Sequence, residues 1–264
     1  MLFFTVNSWV LALILITLVF GATVLGWWIG HRLRARGDGH RESLSVVQGA
    51  LLGMVGLLLA FGLALAIGRY QVRLAANVDE ANAIGTAHLR AQLIAEPFRT
   101  ESLQRLVTYT DAEITFARSV PRSDEALAAI AVADGLQRQL WGFADQAMRA
   151  DPAGAAPRLY VESLNEMFNQ QTDHIAALDT RVPGHVLALE IAAAAVALGL
   201  LAVYLALIGR SVIPVLIGAA VVTALLYVTF DLDRPTRGLI NIEPTALIAQ
   251  RAAMELPPAA TGPG

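Results

Sequence analysis

Four long apolar segments dominate the pattern of the chain. Residues 10–28 give 19 positions without a charge, and residues 46–67 give 22. The third segment, 186–208, holds one charged residue, Glu190, and the fourth, 212–230, holds none. Each segment reaches the roughly 20 residues that a helix needs to cross about 30 Å of hydrocarbon. The pattern therefore predicts four transmembrane helices.

The polar stretch between the second and third segments has helical periodicity throughout. The second helix is expected to continue past residue 68 until Pro97, since a residue before proline disfavours helical geometry. Ser123 is a predicted N-cap for a helix over 124–149, and 158–180 is the last predicted helix of the stretch. The predicted fold is all-α: a polytopic membrane protein with a bundle of about four helices inserted between its second and third transmembrane helices.

The predicted organisation has four parts, each defined by its hydropathy. They are the first two transmembrane helices in 1–68, the helical bundle in 69–185, the third and fourth transmembrane helices in 186–230, and a membrane-boundary motif with a flexible, Pro/Gly-rich tail in 231–264.

Composition supports a membrane protein. The chain is 56% hydrophobic and only 16% charged, where soluble proteins carry about 25% charged residues. No basic residue precedes Val10, so the first segment is predicted to be a retained helix in the lipid bilayer rather than a signal peptide. The chain has no cysteine and a net charge of −3, which excludes disulfides and gives no reason to expect nucleic-acid binding.

The orientation of the protein in the membrane is predicted from the arginines near the helix ends, and these are equally numerous on the two sides of the membrane. The first helix usually dominates topology. It has no basic residue before it and four within the following stretch (Arg32, Arg34, Arg36 and Arg41). This asymmetry predicts a cytoplasmic first loop and an external bundle.

One face of the second apolar segment carries small residues at spacings of three and four. They are Gly49, Gly53, Gly56, Ala60, Ala64 and Gly68. Such a face lets another helix approach closely. The partner helix could belong to the same chain or to another subunit. In a pore, Ala64 and the neighbouring Phe61 would form an apolar constriction of the kind that gates by dewetting.

Polar residues are dense just after this segment. Arg69 and Arg73 are neighbours on one helical face, and they are followed by Glu80, Asn82, Gly85, Thr86 and Arg90. These side chains could form a solvated surface, or a charged rim in which several are buried and paired.

Two other polar residues, Glu190 and His174, are candidate functional residues. A charge inside the membrane costs at least about 2.5–3.5 kcal/mol, so an intramembrane acid is a functional candidate by default. Glu190 is that candidate, unless it lies at interface depth and is solvated. His174 could bind a metal together with Glu166 and other acids, or serve as a structural hydrogen-bonding group.

The fourth apolar segment ends in a compact polar motif made of Asp231, Asp233, Arg234, Pro235 and Gly238. The two acids could bind a divalent cation through hard oxygens. The interpretation favoured here is structural: a clasp in which they pair with Arg69, Arg73 or Arg181. The chain has no phosphate-binding loop, zinc-protease pattern or nucleophile elbow. We therefore predict no enzyme, cofactor or metal site.

Two motifs carry a family resemblance. "DEANAIGTAHLRAQLI" (79–94) and "LDRPTRGLI" (232–240) resemble blocks of the bestrophin-like bacterial membrane proteins, a domain of unknown function, and "NEMFN" (165–169) and "TRVP" (180–183) resemble weaker blocks. Thr236 and Glu190 depart from the family pattern, which usually has a bulkier aromatic and often an apolar residue there. The resemblance implies a multi-pass protein of the bacterial inner membrane.

A more distant likeness is to true bestrophins, which are pentameric anion channels. It rests on "LLLAFGLALAIGRYQVR" (57–73). It implies a homo-oligomer, with five copies as in those channels, whose second helix lines a path for inorganic ions. It also implies a cytoplasmic bundle, opposite to the orientation that the arginines favour.

Two functions fit these observations. The leading hypothesis is a homo-oligomeric ion channel or channel-like pore lined by the second transmembrane helix. The alternative is a non-conducting membrane sensor or scaffold whose helical insert binds a ligand or partner. The helix–insert–helix layout suits both, although no output module accompanies it.

Overall fold

The protein is helical throughout the residues that the computed structural model describes, which are 7–34, 41–234, 236 and 238–260. Eight helices and no strand occur in these ranges. They are α1 (Ser8–Arg34), α2 (Arg41–Ala91), α3 (Phe98–Arg118), α4 (Asp124–Ala150), α5 (Ala155–Asp179), α6 (Gly184–Leu207), α7 (Ile213–Leu232) and α8 (Thr245–Ala253). The predicted all-α class is confirmed.

Four helical stretches are long and apolar enough to cross a membrane. They contain the four predicted segments, in α1, α2, α6 and α7, so the chain is an integral membrane protein in contact with the lipid bilayer. Helix α2 is a single helix of 51 residues, and its membrane-spanning part is the apolar stretch 46–67. Those 22 residues correspond to about 33 Å at 1.5 Å per residue.

The chain forms two compact units. Unit 1 consists of the described parts of Met1–Tyr70 and Arg181–Ile240, and unit 2 of the described parts of Gln71–Thr180 and Asn241–Gly264. The chain passes between the two units three times, at 70/71, 180/181 and 240/241. The first of these points lies just after the second apolar segment, and the second lies just before the third segment.

Close contact between α1 and α6 organises unit 1. A Cβ added to Gly26 would collide with the backbone carbonyl of Gly199, and one added to Gly30 would lie 2.6 Å from the carbonyl oxygen of Val203. Lipid chains are as apolar as leucine, so helices in a membrane associate through such close packing. Leu15 and Ala194 are fully buried in the same core.

A tight turn joins α6 to α7. Gly209 takes a left-handed conformation with φ of +73°. Its N–H donates to the carbonyl of Ala206, and Arg210 N–H donates to Leu205 at 2.9 Å. This pair of bonds satisfies the last carbonyls of α6 in the Schellman pattern. Pro214 lies in the first turn of α7, where a missing N–H costs nothing.

Unit 2 is a bundle of the last part of α2 with α3, α4, α5 and α8. Its core contains the buried side chains Ile84, Leu106, Leu140, Leu164, Met167 and Leu247. The predicted cap is present, since Ser123 accepts a bond from Ala126 N–H at 3.2 Å. Helix α5 begins at Ala155 rather than the predicted residue 158, because Pro157 lies in its first turn, where proline is tolerated.

Helix α8 lies in the stretch for which sequence analysis described only a boundary motif and a tail. Its Leu247 is fully buried in the core of unit 2. Beyond it, Ala260 N–H donates to the side chain of Gln92 at 3.0 Å. One buried leucine on a nine-residue helix leaves too short an apolar pattern to predict.

The contact between α1 and α6 can be tested with Gly26→Ala. A methyl group there meets rigid backbone, and overpacking of this kind costs about 1–3 kcal/mol. We expect a lower thermal unfolding temperature in detergent.

Gly21→Ala is the matched control on the same helix, because its Cβ would meet no described atom within 4 Å. It should leave stability unchanged or slightly raised, since alanine favours helix. Equal effects of the two changes would contradict the close approach of α1 and α6.

Candidate functional site

The small residues of α2 lie on an outward face of unit 1. A Cβ at Gly49, Gly53, Gly56 or Gly68 would meet no atom of the described residues within 4 Å. Ala60, Phe61 and Ala64 are likewise exposed. The opposite side of the helix packs inward, through Val55, Leu59 and Ala66. The stripe is therefore not the surface through which α2 packs on its own unit.

Glu190 of α6 lies inside unit 1, where only 2% of its surface is exposed. Neither carboxyl oxygen has a hydrogen-bond partner among the described residues. The carboxyl group occupies the space that a side chain at Gly62 would fill. Gly62 was not predicted as a site residue. Its signal in the sequence is that it shares the helical face of Leu59 and Ala66 rather than that of the small-residue stripe.

The acids of the motif after α7 bind backbone N–H groups. Asp231 Oδ2 accepts bonds from Leu239 N at 2.8 Å and Ile240 N at 2.9 Å. Gly238 has φ of +127°, and a Cβ there would collide with the Asp231 carboxylate.

Asp233 ties the end of α7 to the segment that leads into α6, since its Oδ1 accepts a bond from Val182 N at 3.0 Å. Arg234 is buried beside it, and Pro235 lies outside the described residues. Pairing of the acids with Arg69, Arg73 or Arg181 stays a prediction. The backbone contacts suit the structural interpretation of the motif, and the described residues contain no group of three or more acids, histidines or cysteines placed to hold a metal.

The polar residues that follow the second apolar segment divide into two groups. Arg73 is 1% exposed and donates to the carbonyl oxygens of Ala177 and Thr180 at the end of α5. Glu80 and Gly85 also face inward. Asn82 and Thr86 are exposed, and Arg69 and Arg90 are half-buried. Arg90 donates to the carbonyl of Leu159 on α5 at 2.8 Å.

Three titratable side chains from three helices meet inside unit 2: Glu80 of α2, Glu113 of α3 and His174 of α5. None is more than 2% exposed. His174 Nδ1 lies 2.6 Å from Glu80 Oε2, and the carboxyl group of Glu113 is close enough for Glu80 to raise its pKa. We call this group the acid–histidine cluster.

Amide side chains extend the acid–histidine cluster. Gln171 Nε2 donates to Glu113 Oε1 at 2.5 Å, and Gln137 Nε2 on α4 donates to Gln171 Oε1 at 2.6 Å. The hydroxyl group of the buried Tyr109 lies 3.5 Å from Gln137 Nε2. All four long helical segments of unit 2 therefore contribute to one polar network.

Burial keeps the cluster uncharged near neutral pH. It raises the pKa of Glu80 to about 8, and burial followed by the neighbouring Glu80 raises the pKa of Glu113 well above its ordinary value. Burial lowers the pKa of His174 to about 4. The low-polarity interior disfavours every charged form.

Glu80 and His174 are candidates from the sequence alone, whereas Glu113, the third member of the cluster, is not among them. Glu113 lies one helical turn beyond Tyr109 on the buried face of α3, so an acid at a core position was its signal. The proposed metal partner of His174, Glu166, is exposed and accepts a bond from Gln170 instead. His174 has the hydrogen-bonding role that was the alternative.

The contact between Gly62 and Glu190 can be tested by a double-mutant cycle. Gly62→Ala displaces a buried carboxyl group, and because that group ends a flexible side chain we expect a loss of only about 1 kcal/mol, at the low end for overpacking. Glu190→Ala in the Gly62→Ala background should remove most of this loss.

Thermal unfolding in detergent measures the cycle, with Gly53→Ala as the control on the exposed face of the same helix. Additive effects of the two substitutions would show that the side chains do not meet.

Comparison with known proteins places these features in a family. No curated protein and no solved structure matches the chain. A family model, the Bestrophin-like domain, matches residues 17–247, which include α2, the acid–histidine cluster and the motif after α7. The family is not one of enzymes. Because the match covers most of the chain, the protein belongs to the Bestrophin-like domain family.

Proposed function

We propose that the protein is a homo-oligomeric, channel-like membrane pore in which α2 lines the path of inorganic ions. The observation that carries the proposal is the outward face of α2. Its glycines at 49, 53 and 56 have no neighbour within reach of a Cβ among the described residues. Small residues in a membrane helix favour close helix contact, and a second copy of the chain can supply it.

Family membership supports the same proposal, since the Bestrophin-like domain indicates a channel-like protein. The membrane-spanning part of α2 has no charged residue between 46 and 67. A pore lined by this helix would be narrow and apolar, with Phe61 as the largest exposed side chain next to the small-residue face. Such a pore closes by dewetting rather than by a charged ring. The bacterial inner membrane is its proposed location.

A non-conducting sensor or scaffold is the second candidate. The observation that favours it is a cavity of about 270 Å³ between α2 and α5 of unit 2, lined in part by Thr86, Arg90, Glu162, Asn165 and Glu166. Both signs of charge line this cavity, so a small polar ligand could bind there without a pore being required.

Cysteine cross-linking tests the oligomer, and the chain suits it because it has no cysteine of its own. Identical residues near a symmetry axis approach their own copies in neighbouring subunits. We expect Gly53→Cys and Gly56→Cys to give disulfide-linked dimers in membranes on mild oxidation.

Ile217→Cys is the control, since that side chain is 62% exposed and belongs to a different membrane-spanning helix, α7. It should remain monomeric on denaturing gels. Cross-linking at Ile217 but at neither α2 position would contradict a pore lined by α2.

Conductance in planar bilayers tests the pore itself. Phe61→Ala removes the largest side chain proposed for the constriction, so we expect a higher single-channel conductance than in the unchanged protein. Ile217→Ala should have no effect. A well-folded oligomer that passes no current in several salts and at several pH values would overturn the channel and leave the scaffold.

A further inference from the structure

The acid–histidine cluster contains two buried carboxyl oxygens without a hydrogen-bond partner. They are Glu80 Oε1 and Glu113 Oε2, and neither has such a partner in the described part of the chain. Both side chains are at most 1% exposed, and Glu80 raises the pKa of Glu113 as a neighbouring acid. Two ionised carboxylates buried side by side repel each other and lack donors of their own, so at least one of the two carries a proton.

The other contacts of the cluster define where a further proton lies. Glu113 Oε1 already accepts from Gln171, so Oε2 is the oxygen of Glu113 that is left to carry a proton. Glu80 Oε2 lies 2.6 Å from His174 Nδ1. That short contact holds one hydrogen, which belongs either to the carboxyl group or to the imidazole ring.

We propose that Glu80, Glu113 and His174 form a proton-binding site, with one proton shared between the two carboxyl groups and a second, exchangeable proton held on Glu80 at its contact with His174. The site lies in unit 2, and the proposal stands whether or not the protein conducts ions.

His174 allows the exchangeable proton to leave without the loss of a hydrogen bond. When Glu80 is protonated, its hydroxyl donates to Nδ1 and the ring carries its hydrogen on Nε2. When Glu80 loses the proton, the ring moves its own hydrogen to Nδ1 and donates to Glu80 Oε2. The ring stays neutral in both states, so one proton leaves the site and its negative charge remains on Glu80.

The surroundings favour a proton over a metal cation. Gln171 presents an N–H to Glu113, and the edge-to-face ring of Phe116 lies 5.8 Å from the His174 ring; neither supplies an oxygen ligand. The other titratable group of the network is Tyr109 on α3, whose pKa burial raises well above its ordinary value. Arg73 on α2 is engaged by the carbonyl oxygens of Ala177 and Thr180.

The pH range of release follows from the folded and unfolded states. In the unfolded chain both glutamates are ionised above about pH 4.5. In the folded chain Glu80 keeps its proton until about pH 8, and the pKa of Glu113 is raised well above its ordinary value. The stability that the Glu80 proton contributes is full below pH 4.5 and is lost as pH rises through about 8. His174 acts in the opposite sense, since its contribution is lost as pH falls from 6.5 to about 4.

Infrared spectroscopy of the full chain tests the site, because protonated carboxyl groups have a C=O band separate from carboxylate bands. The sample should be in a detergent without ester groups, which would overlap. On a change from pH 6.5 to 9.5 we expect loss of a protonated-carboxyl band and gain of carboxylate bands. Glu80→Gln should reduce this change, and the buried Glu190 of unit 1, whose carboxyl oxygens have no partner among the described residues, contributes to the remainder.

Glu166→Gln on α5 is the matched control, because Glu166 is an exposed glutamate; it should leave the change intact. Nitrogen-15 NMR of the histidine rings gives a second measurement, in which His174 should move its hydrogen from Nε2 to Nδ1 over the same pH range. The melting temperature should also fall less between pH 6.5 and 8.5 in Glu80→Gln than in the unchanged protein.

Two results would overturn the proposal. One is an unaltered infrared difference spectrum in Glu80→Gln. The other is a His174 ring that keeps one neutral form from pH 6.5 to 9.5. Both measurements report on the acid–histidine cluster itself. Their outcome is therefore independent of whether the protein conducts ions, and the proton-binding site and the proposed channel can be refuted separately.

Discussion

Hydrocarbon offers no hydrogen-bond partner to a peptide group, so any segment of this chain that crosses a membrane must satisfy its backbone internally. The four apolar segments do so as helices, and their packing then depends on how closely backbones can approach. Gly26 and Gly30 of α1 allow that approach to α6. Where one helix ends and the next begins, the remaining carbonyl groups are satisfied locally, as at Gly209.

Buried acids are accommodated in different ways in the two units. Asp231 and Asp233 accept hydrogen bonds from backbone N–H groups, which fix the chain around the end of α7. Glu80 and Glu113 have few such donors, and burial favours their protonated forms instead. The same residue class thus serves as a fixed structural acceptor in one place and as an exchangeable acid in another.

Periodicity was sufficient to predict the all-α class, the four membrane-crossing helices and the cap at Ser123, because each depends on residues close together in the chain. The family was also recognisable from local motifs. The acid–histidine cluster was not, because it brings Glu80 into contact with His174, 94 positions away, and adds an acid from a third helix. The packing role of Gly62 was missed for a related reason: its neighbour, Glu190, lies on another helix, and the small-residue stripe lies on a different face.

The turn at Gly209 also bears on how the protein enters a membrane. Only residues 208–212 separate α6 from α7, and the Schellman bonds hold that connection close to the helix end. A connection this short cannot reach across a bilayer about 30 Å thick. The end of α6 and the start of α7 therefore lie on the same side of the membrane, so the two helices enter it as neighbouring antiparallel spans of one helical hairpin.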